Sequence, residues 1–121
     1  MSKILIIDDL ATEVQIMKSA IAGLGHHVIT AGDGETGMNL AKSEKPNLIL
    51  LDVVLPKADG FNVCRRLKKD PETAGIPIIM ISTKSQESDQ FWGMKQGADA
   101  YLFKPAKSED IANAVTAALA A

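Results

Sequence analysis

Leu48-Ile49-Leu50-Leu51-Asp52-Val53-Val54-Leu55-Pro56-Lys57-Ala58-Asp59-Gly60 is the stretch whose reading decides the fold. Four aliphatic residues run straight into one carboxylate. Two turn signals follow, Leu55-Pro56 and Asp59-Gly60. A short unbroken apolar run bounded by turn signals predicts a strand buried on both faces. Asp52 then stands at the C-terminal end of that strand. In open α/β sheets ligands bind along that edge.

Working outward, Ile4–Ile7 reads as a first strand ending at Asp8-Asp9, and Val28–Ala31 as a second. Ile76–Ile81 reads as a fourth, ending at Ser82-Thr83, and Ala98–Phe103 as a fifth, ending at Lys104-Pro105. Helical spacing fills the intervals. Val14, Met17, Ile21 and Leu24 form one apolar face of a helix that Gly23 and Gly25 close. After the Gly32-Asp33-Gly34 turn, Glu35–Ser43 predicts a helix with Met38 and Ala41 inward. Asp59 is the N-cap of a helix that turns Phe61, Cys64 and Leu67 inward. Gln86–Gln96 is the fourth helix; its Phe91 and Trp92 read as core, or one of them as a partner-binding patch. Ser108–Ala121 is the last, with Ile111, Val115 and Leu119 on one stripe.

Five strands alternating with five helices predict an α/β fold, a parallel sheet covered on both faces. The expected order is the flavodoxin-like 2-1-3-4-5, with five flanking helices. The 121 residues suit one domain, 1–121, and are too few for two.

Composition narrows the function classes. Thirteen basic against fifteen acidic residues leave a net charge of -2 and no basic stripe, so nucleic-acid binding is not expected. A single cysteine, Cys64, excludes an internal disulfide and a cysteine-rich metal site. It fits a reducing compartment as a small helix-face hydrophobe. The first apolar run is too short for a membrane span or signal-peptide core, so a cytoplasmic protein without a membrane role is expected. Gly32-Asp33-Gly34-Glu35-Thr36-Gly37 has the letters of a dinucleotide fingerprint. It follows the second strand rather than the first, and its acids would repel a pyrophosphate. His26-His27 read as exposed loop residues before the second strand.

The strand ends collect the chemistry. The first delivers Asp8 and Asp9, the third Asp52, the fourth Ser82 and the fifth Lys104. With the first and third strands adjacent, three carboxylates converge. Their mutual repulsion raises pKa unless a cation neutralises them. Oxygen-only ligands suit a hard cation, Mg²⁺ first, with Mn²⁺ the alternative. Lys104 and the Ser82 hydroxyl would then hold the oxygens of a phosphoryl group. The chemistry this predicts is attack by the Asp52 carboxylate on phosphorus, giving an aspartyl phosphate.

Over its whole length the chain resembles the receiver domains of bacterial two-component response regulators. The residues that carry the resemblance are Asp8-Asp9, Asp52, Leu55-Pro56 with Asp59-Gly60, Ser82, Tyr101 and Lys104-Pro105. The resemblance implies that Asp52 is the phosphoacceptor. It implies that Asp9, Asp52 and the Val54 backbone carbonyl contact the metal, with Asp8 acting through water. It also implies that Lys104 pairs with the phosphoryl group and that the Lys104-Pro105 bond is cis. Ser82 and Tyr101 are the expected switch pair. Ser82 moves to the phosphoryl group and Tyr101 rotates inward, changing the face made by helix 4, strand 5 and helix 5.

No output domain follows the fifth helix, so a stand-alone, CheY-like receiver is expected. Thr83–Asp89, Trp92-Gly93 and Gln96-Gly97-Ala98 are similar to the PilH-like receivers of twitching-motility (type IV pilus) chemosensory systems. The expected partners are a CheA-type sensor histidine kinase, or its phosphotransfer domain, and a downstream motility protein. The expected state is a monomer, a weak dimer being the alternative. Val54 and Lys84 occupy the two positions that tune phosphoryl lifetime in this family. Val54 cannot orient an attacking water, so slow self-dephosphorylation is expected. The chain is read as a switch that takes part in its own phosphorylation and dephosphorylation, not as a turnover enzyme. An aspartyl-phosphate phosphatase would need an acid at the position of Val54. A pseudo-receiver binding module is the other alternative.

Overall fold

The computed structural model describes residues 2–121. Its elements are β1 (Lys3–Ile7), α1 (Ala11–Ile21), β2 (His27–Ala31), α2 (Gly34–Glu44), β3 (Leu48–Leu51), α3 (Gly60–Lys69), β4 (Ile78–Ser82), α4 (Glu87–Lys95), β5 (Ala100–Phe103) and α5 (Ser108–Ala120). The five strands pair in parallel in the order β2-β1-β3-β4-β5, as expected.

Strand periodicity sorts the core into two layers. Leu5, Ile7, Ile49, Leu51, Ile78 and Met80 pack with Ala41 of α2, with Cys64 and Leu67 of α3, and with Tyr101 of β5. Ile4, Ile6, Leu48, Leu50, Ile79 and Ile81 pack with Met17 and Ile21 of α1 and with Ile111 and Val115 of α5. The central strands are buried on both sides, which is why β3 reads as unbroken aliphatics rather than alternating. No helix among the described residues is long and apolar enough to cross a membrane.

Four readings of the sequence need correction. Leu24 is exposed, because α1 ends at Ile21 and a 3₁₀ turn over Ala22–Leu24 rotates it off the apolar face. Phe91 and Trp92 are exposed, Phe91 by 65%, which overturns the core reading of both and agrees with the surface alternative; Met94 beside them is exposed too. The inward position of α4 is Gly93, where a Cβ would meet Met80 Sδ and the Tyr101 ring at under 3 Å. Successive helical residues diverge by about 100°, so the aromatic residues beside this point of close approach face solvent. His27 is not a loop residue but opens β2, while His26 is half-buried and accepts a bond from the Ser2 N–H through Nδ1 at 3.2 Å. Finally, the turn after Asp52 contains an unforeseen two-residue antiparallel ladder, Val54–Leu55 against Ala58–Asp59.

The glycine-rich stretch at residues 32–37 is a helix start. Asp33 is the N-cap of α2 and accepts the Thr36 N–H at 2.8 Å and the Thr36 hydroxyl at 3.1 Å. These bonds hold the Asp33 carboxyl below the usual carboxylate range, the backbone bond contributing most. Asp59 caps α3 in the same way, accepting the Phe61 N–H at 2.9 Å.

Gly60 closes the loop that carries Asp52. Its N–H donates to the Val53 carbonyl at 2.8 Å. A Cβ there would run into the Asp52 carbonyl oxygen and the Val53 Cα, both backbone atoms that cannot rotate aside. Gly60→Ala is therefore expected to cost about 2 kcal/mol or more. Gly23→Ala, with nothing within 4 Å of the added carbon, is expected to stay within about 0.5 kcal/mol of the parent. Urea unfolding of the two variants checks the contrast.

Candidate functional site

The sheet register brings the strand-end residues together. Ile7 pairs with Leu51, so Asp8 and Asp52 leave adjacent strands side by side. The Asp52 N–H donates to the Ile7 carbonyl at 2.9 Å, and the Asp8 N–H to the Ala31 carbonyl at 3.0 Å. Ser82 pairs with Phe103, and the Lys104 N–H donates to the Ser82 carbonyl at 2.8 Å. Each functional side chain thus sits at the last ladder bond of a buried strand or just past it.

Lys104 crosses the strand edge to the acids. Its Nζ lies 2.9 Å from Asp8 Oδ2 and 3.4 Å from Asp52 Oδ2. All three side chains are nearly buried. Asp8 Oδ1 accepts the Leu10 N–H at 3.0 Å, and Asp52 Oδ1 accepts the Val54 N–H at 3.2 Å. Burial pushes the Asp52 carboxyl above the usual carboxylate range. Lys104 opposes this, the Asp8 charge reinforces it, and the Val54 N–H opposes it again. For Lys104, burial favours losing the proton. The Asp8 hydrogen bond and the charges of Asp52, Asp8 and Glu13 outweigh it and hold the ammonium above its ordinary value.

Asp8, Asp9 and Asp52 each offer a carboxylate oxygen, and these oxygens lie within 4.8 Å of one another. Lys104 alone does not neutralise three acids. The donor set is all oxygen and net negative, which fits a hard divalent cation such as Mg²⁺.

A family model for the response regulator receiver domain matches residues 4–116. The chain belongs to that family. It is 43% identical over 120 residues to protein PilH of Pseudomonas aeruginosa, a match that covers 99% of both chains. It is 40% identical over 117 residues to the alkaline phosphatase synthesis transcriptional regulatory protein PhoP of Bacillus subtilis, covering 97% of this chain and 48% of PhoP. Among solved structures, chemotaxis response regulator CheY4 of Vibrio cholerae is similar with a TM-score of 0.90 at 25% identity, over 98% of each chain. A CheY-like receiver domain protein of Methanospirillum hungatei has a TM-score of 0.90 at 26% identity, over 99% of this chain and 94% of that one. The receiver fold is thus the CheY-like, flavodoxin-type sheet.

The other residues singled out in the receiver sequence form a second group. Ser82 is fully buried and its Oγ accepts the Lys84 N–H at 3.2 Å. The Tyr101 hydroxyl donates to the Lys84 carbonyl at 2.7 Å. One residue therefore links the two: Ser82 holds the N–H of Lys84 and Tyr101 holds its carbonyl. Burial pushes the Tyr101 hydroxyl above its ordinary pKa. The ring is already inward, stacked edge-on against Phe103 with centroids 5.6 Å apart. The Lys84 side chain is exposed, and the ion pair of Asp52 is with Lys104 rather than Lys84. The Lys104-Pro105 peptide bond is cis. Cys64 is buried, and desolvation pushes its thiol up to about 11, as a small hydrophobe should behave.

A groove of about 450 Å³ runs beside the site, lined by Val53, Val54, Phe61, Lys57 and Lys84 among others. A cleft of about 490 Å³ between α2 and α3 contains none of the strand-end acids. It has no part in their chemistry. Sequence reasoning missed Glu13, whose Oε2 lies 3.8 Å from Lys104 Nζ. No spacing within the chain signals it, because the contact joins α1 to the residue after β5.

Because the Asp52 carboxyl is raised on folding, the folded state binds its proton more tightly than the unfolded chain does. Stability contributed at this residue therefore falls as pH rises from the unfolded carboxylate pKa through the raised folded one. Asp52→Asn is expected to melt close to the parent at the acid end of that window. Above the window it is expected to melt at a higher temperature than the parent. Thermal melts of both proteins across acid to neutral pH check this.

Proposed function

We propose that this chain is a phosphoacceptor switch, with residues 1–121 forming one receiver domain. The observation that carries the reading is the Asp52 carboxylate held at the end of β3 with Lys104 Nζ 3.4 Å away and Asp8 alongside. Asp52 attacks the phosphorus of a phosphohistidine. The P–O bond to Asp52 forms, the P–N bond breaks, and the imidazole leaves with the bonding pair. Lys104 pairs with a phosphoryl oxygen as charge builds there. Asp8, Asp9, Asp52 and the Val54 carbonyl would hold Mg²⁺, which when bound supplies charge neutralisation for the phosphoryl oxygens.

The output follows from the second group. When the Ser82 hydroxyl turns to the phosphoryl group, it releases the Lys84 N–H. Lys84, whose carbonyl receives the Tyr101 hydroxyl, passes the change to α4 and β5. Tyr101 starts inward, so the switch works by fixing or freeing the backbone of Lys84 rather than by swinging the ring in from solvent. The receiving surface carries the exposed Phe91, Trp92, Met94 and Phe103. The near full-length likeness to PilH supports a place in twitching-motility chemosensory signalling. The donor would be a CheA-type histidine kinase, or its phosphotransfer domain, and the receiver of the signal a motility protein. We place the chain in the cytoplasm with such a kinase.

Intact mass after incubation with Mg²⁺ and either acetyl phosphate or a phosphorylated kinase tests the reading. The gain of one phosphoryl group is expected in the parent, and none in Asp52→Asn. Val54 presents no polar atom to an attacking water, so decay after donor removal is expected over minutes or longer. Decay within seconds contradicts the role given to Val54. No adduct with either donor favours a binding module that is not phosphorylated.

A further inference from the structure

Lys104 has a third carboxylate neighbour that the chemistry above leaves unused. Glu13 Oε2 lies 3.8 Å from its Nζ, beyond Asp8 at 2.9 Å and Asp52 at 3.4 Å. The side chains of Asp8, Lys104 and Asp52 are 0%, 6% and 7% exposed, and that of Glu13 is 31% exposed. Glu13 is therefore the solvent-side member of the cluster. It is too far from Nζ for a hydrogen bond and acts on the ammonium through charge.

A purely local reason for an acid here exists. Glu13 lies in the first turn of α1, whose N-cap, Leu10, offers no side-chain bond, and an acid there favours the helix dipole. That reason accounts for the charge but not for its direction. A first-turn glutamate can satisfy the dipole while pointing into solvent. This one lies against the ammonium that must receive the phosphoryl oxygen.

We infer that Glu13 is a charge filter at the mouth of the site, competing for Lys104 and disfavouring small free anionic phosphodonors such as acyl phosphates. The inference rests on the phosphoacceptor reading of Asp52. A free acyl phosphate must approach an ammonium already shared among three carboxylates, of which Glu13 is the most exposed; Asp9, which does not pair with Lys104, is exposed as well. Removing the Glu13 charge lowers the repulsion and leaves Lys104 freer to pair with the arriving oxygen.

The test follows adduct formation on the full chain with acetyl phosphate at constant Mg²⁺, in the parent, Glu13→Gln and Glu13→Asp. At low salt Glu13→Gln is expected to react about threefold to tenfold faster, the range for one partly screened charge. The difference should shrink toward unity near 1 M salt, where the Debye length is about 3 Å. Glu13→Asp keeps the charge and should stay within about twofold of the parent. Loss of a helix-dipole contact alone would lower the melting temperature slightly but would not give a salt-dependent rate. Equal rates for parent and Glu13→Gln overturn the inference. So does a rate change that salt leaves untouched, or a Glu13→Asp rate matching Glu13→Gln. Adduct formation in the parent with a phosphorylated kinase keeps the phosphoacceptor reading standing in each of those cases. No adduct in any protein with either donor overturns both.

Discussion

Everything at the strand edge depends on one buried ammonium. Lys104 is 96 residues from Asp8 and 52 from Asp52 in sequence, yet its Nζ touches both. Burying a charge without a partner costs several kcal/mol, and breaking a buried pair costs about 3–5 kcal/mol. The buried lysine therefore requires its acids, Asp8 the closest of them. The pairing is incomplete, since one ammonium faces Asp8 and Asp52 inside, Glu13 from the solvent side and Asp9 nearby. The residual negative charge is a stability cost; burial first, and the Asp8 charge with it, raise the Asp52 carboxyl. The residual charge is also what makes the pocket ready for a divalent cation and a phosphoryl group.

The rest of the fold holds this cluster still. β1 and β3 are buried on both faces by two aliphatic layers, so the ladder that sets Asp8 beside Asp52 has little freedom to slip. Gly60 lets the chain return against the backbone of Asp52 and Val53 without a side chain in the way. On the far side of the site, Gly93 lets α4 lie directly on Met80 and Tyr101. The backbone of Lys84 spans the gap between Ser82 and Tyr101. The chemistry is therefore on rigid strand ends. On the proposed reading the part that moves is the β4–α4 loop, where residues 83–88 are exposed.

Much of this was legible from residues alone. The unbroken aliphatic runs ending in acids predicted both the parallel sheet and the convergence of Asp8, Asp9 and Asp52. Asp59 was readable as a cap because a carboxylate before an apolar-periodic run has one common use. What could not be read depended on approach between elements. The outward turn of Phe91 and Trp92 follows from Gly93 being the contact residue of α4, and nothing in helical spacing says which neighbour a glycine will meet. Leu24 fell on the expected face only if α1 stayed α-helical to Gly25. The reach of Glu13 to Lys104 joins residues 91 positions apart, and periodicity within one helix is blind to such a pair.

The central claim is that the charge cluster makes Asp52, and no other group, the covalent acceptor. Borohydride reduction of the freshly phosphorylated protein, followed by peptide mapping, locates the adduct directly, since the acyl phosphate is cleaved to an alcohol at its own side chain. The account predicts reduction of Asp52, with Asp8, Asp9 and both histidines unchanged. Reduction at Asp8 or Asp9, or a phosphoryl group found on His26 or His27 with Asp52 intact, contradicts it.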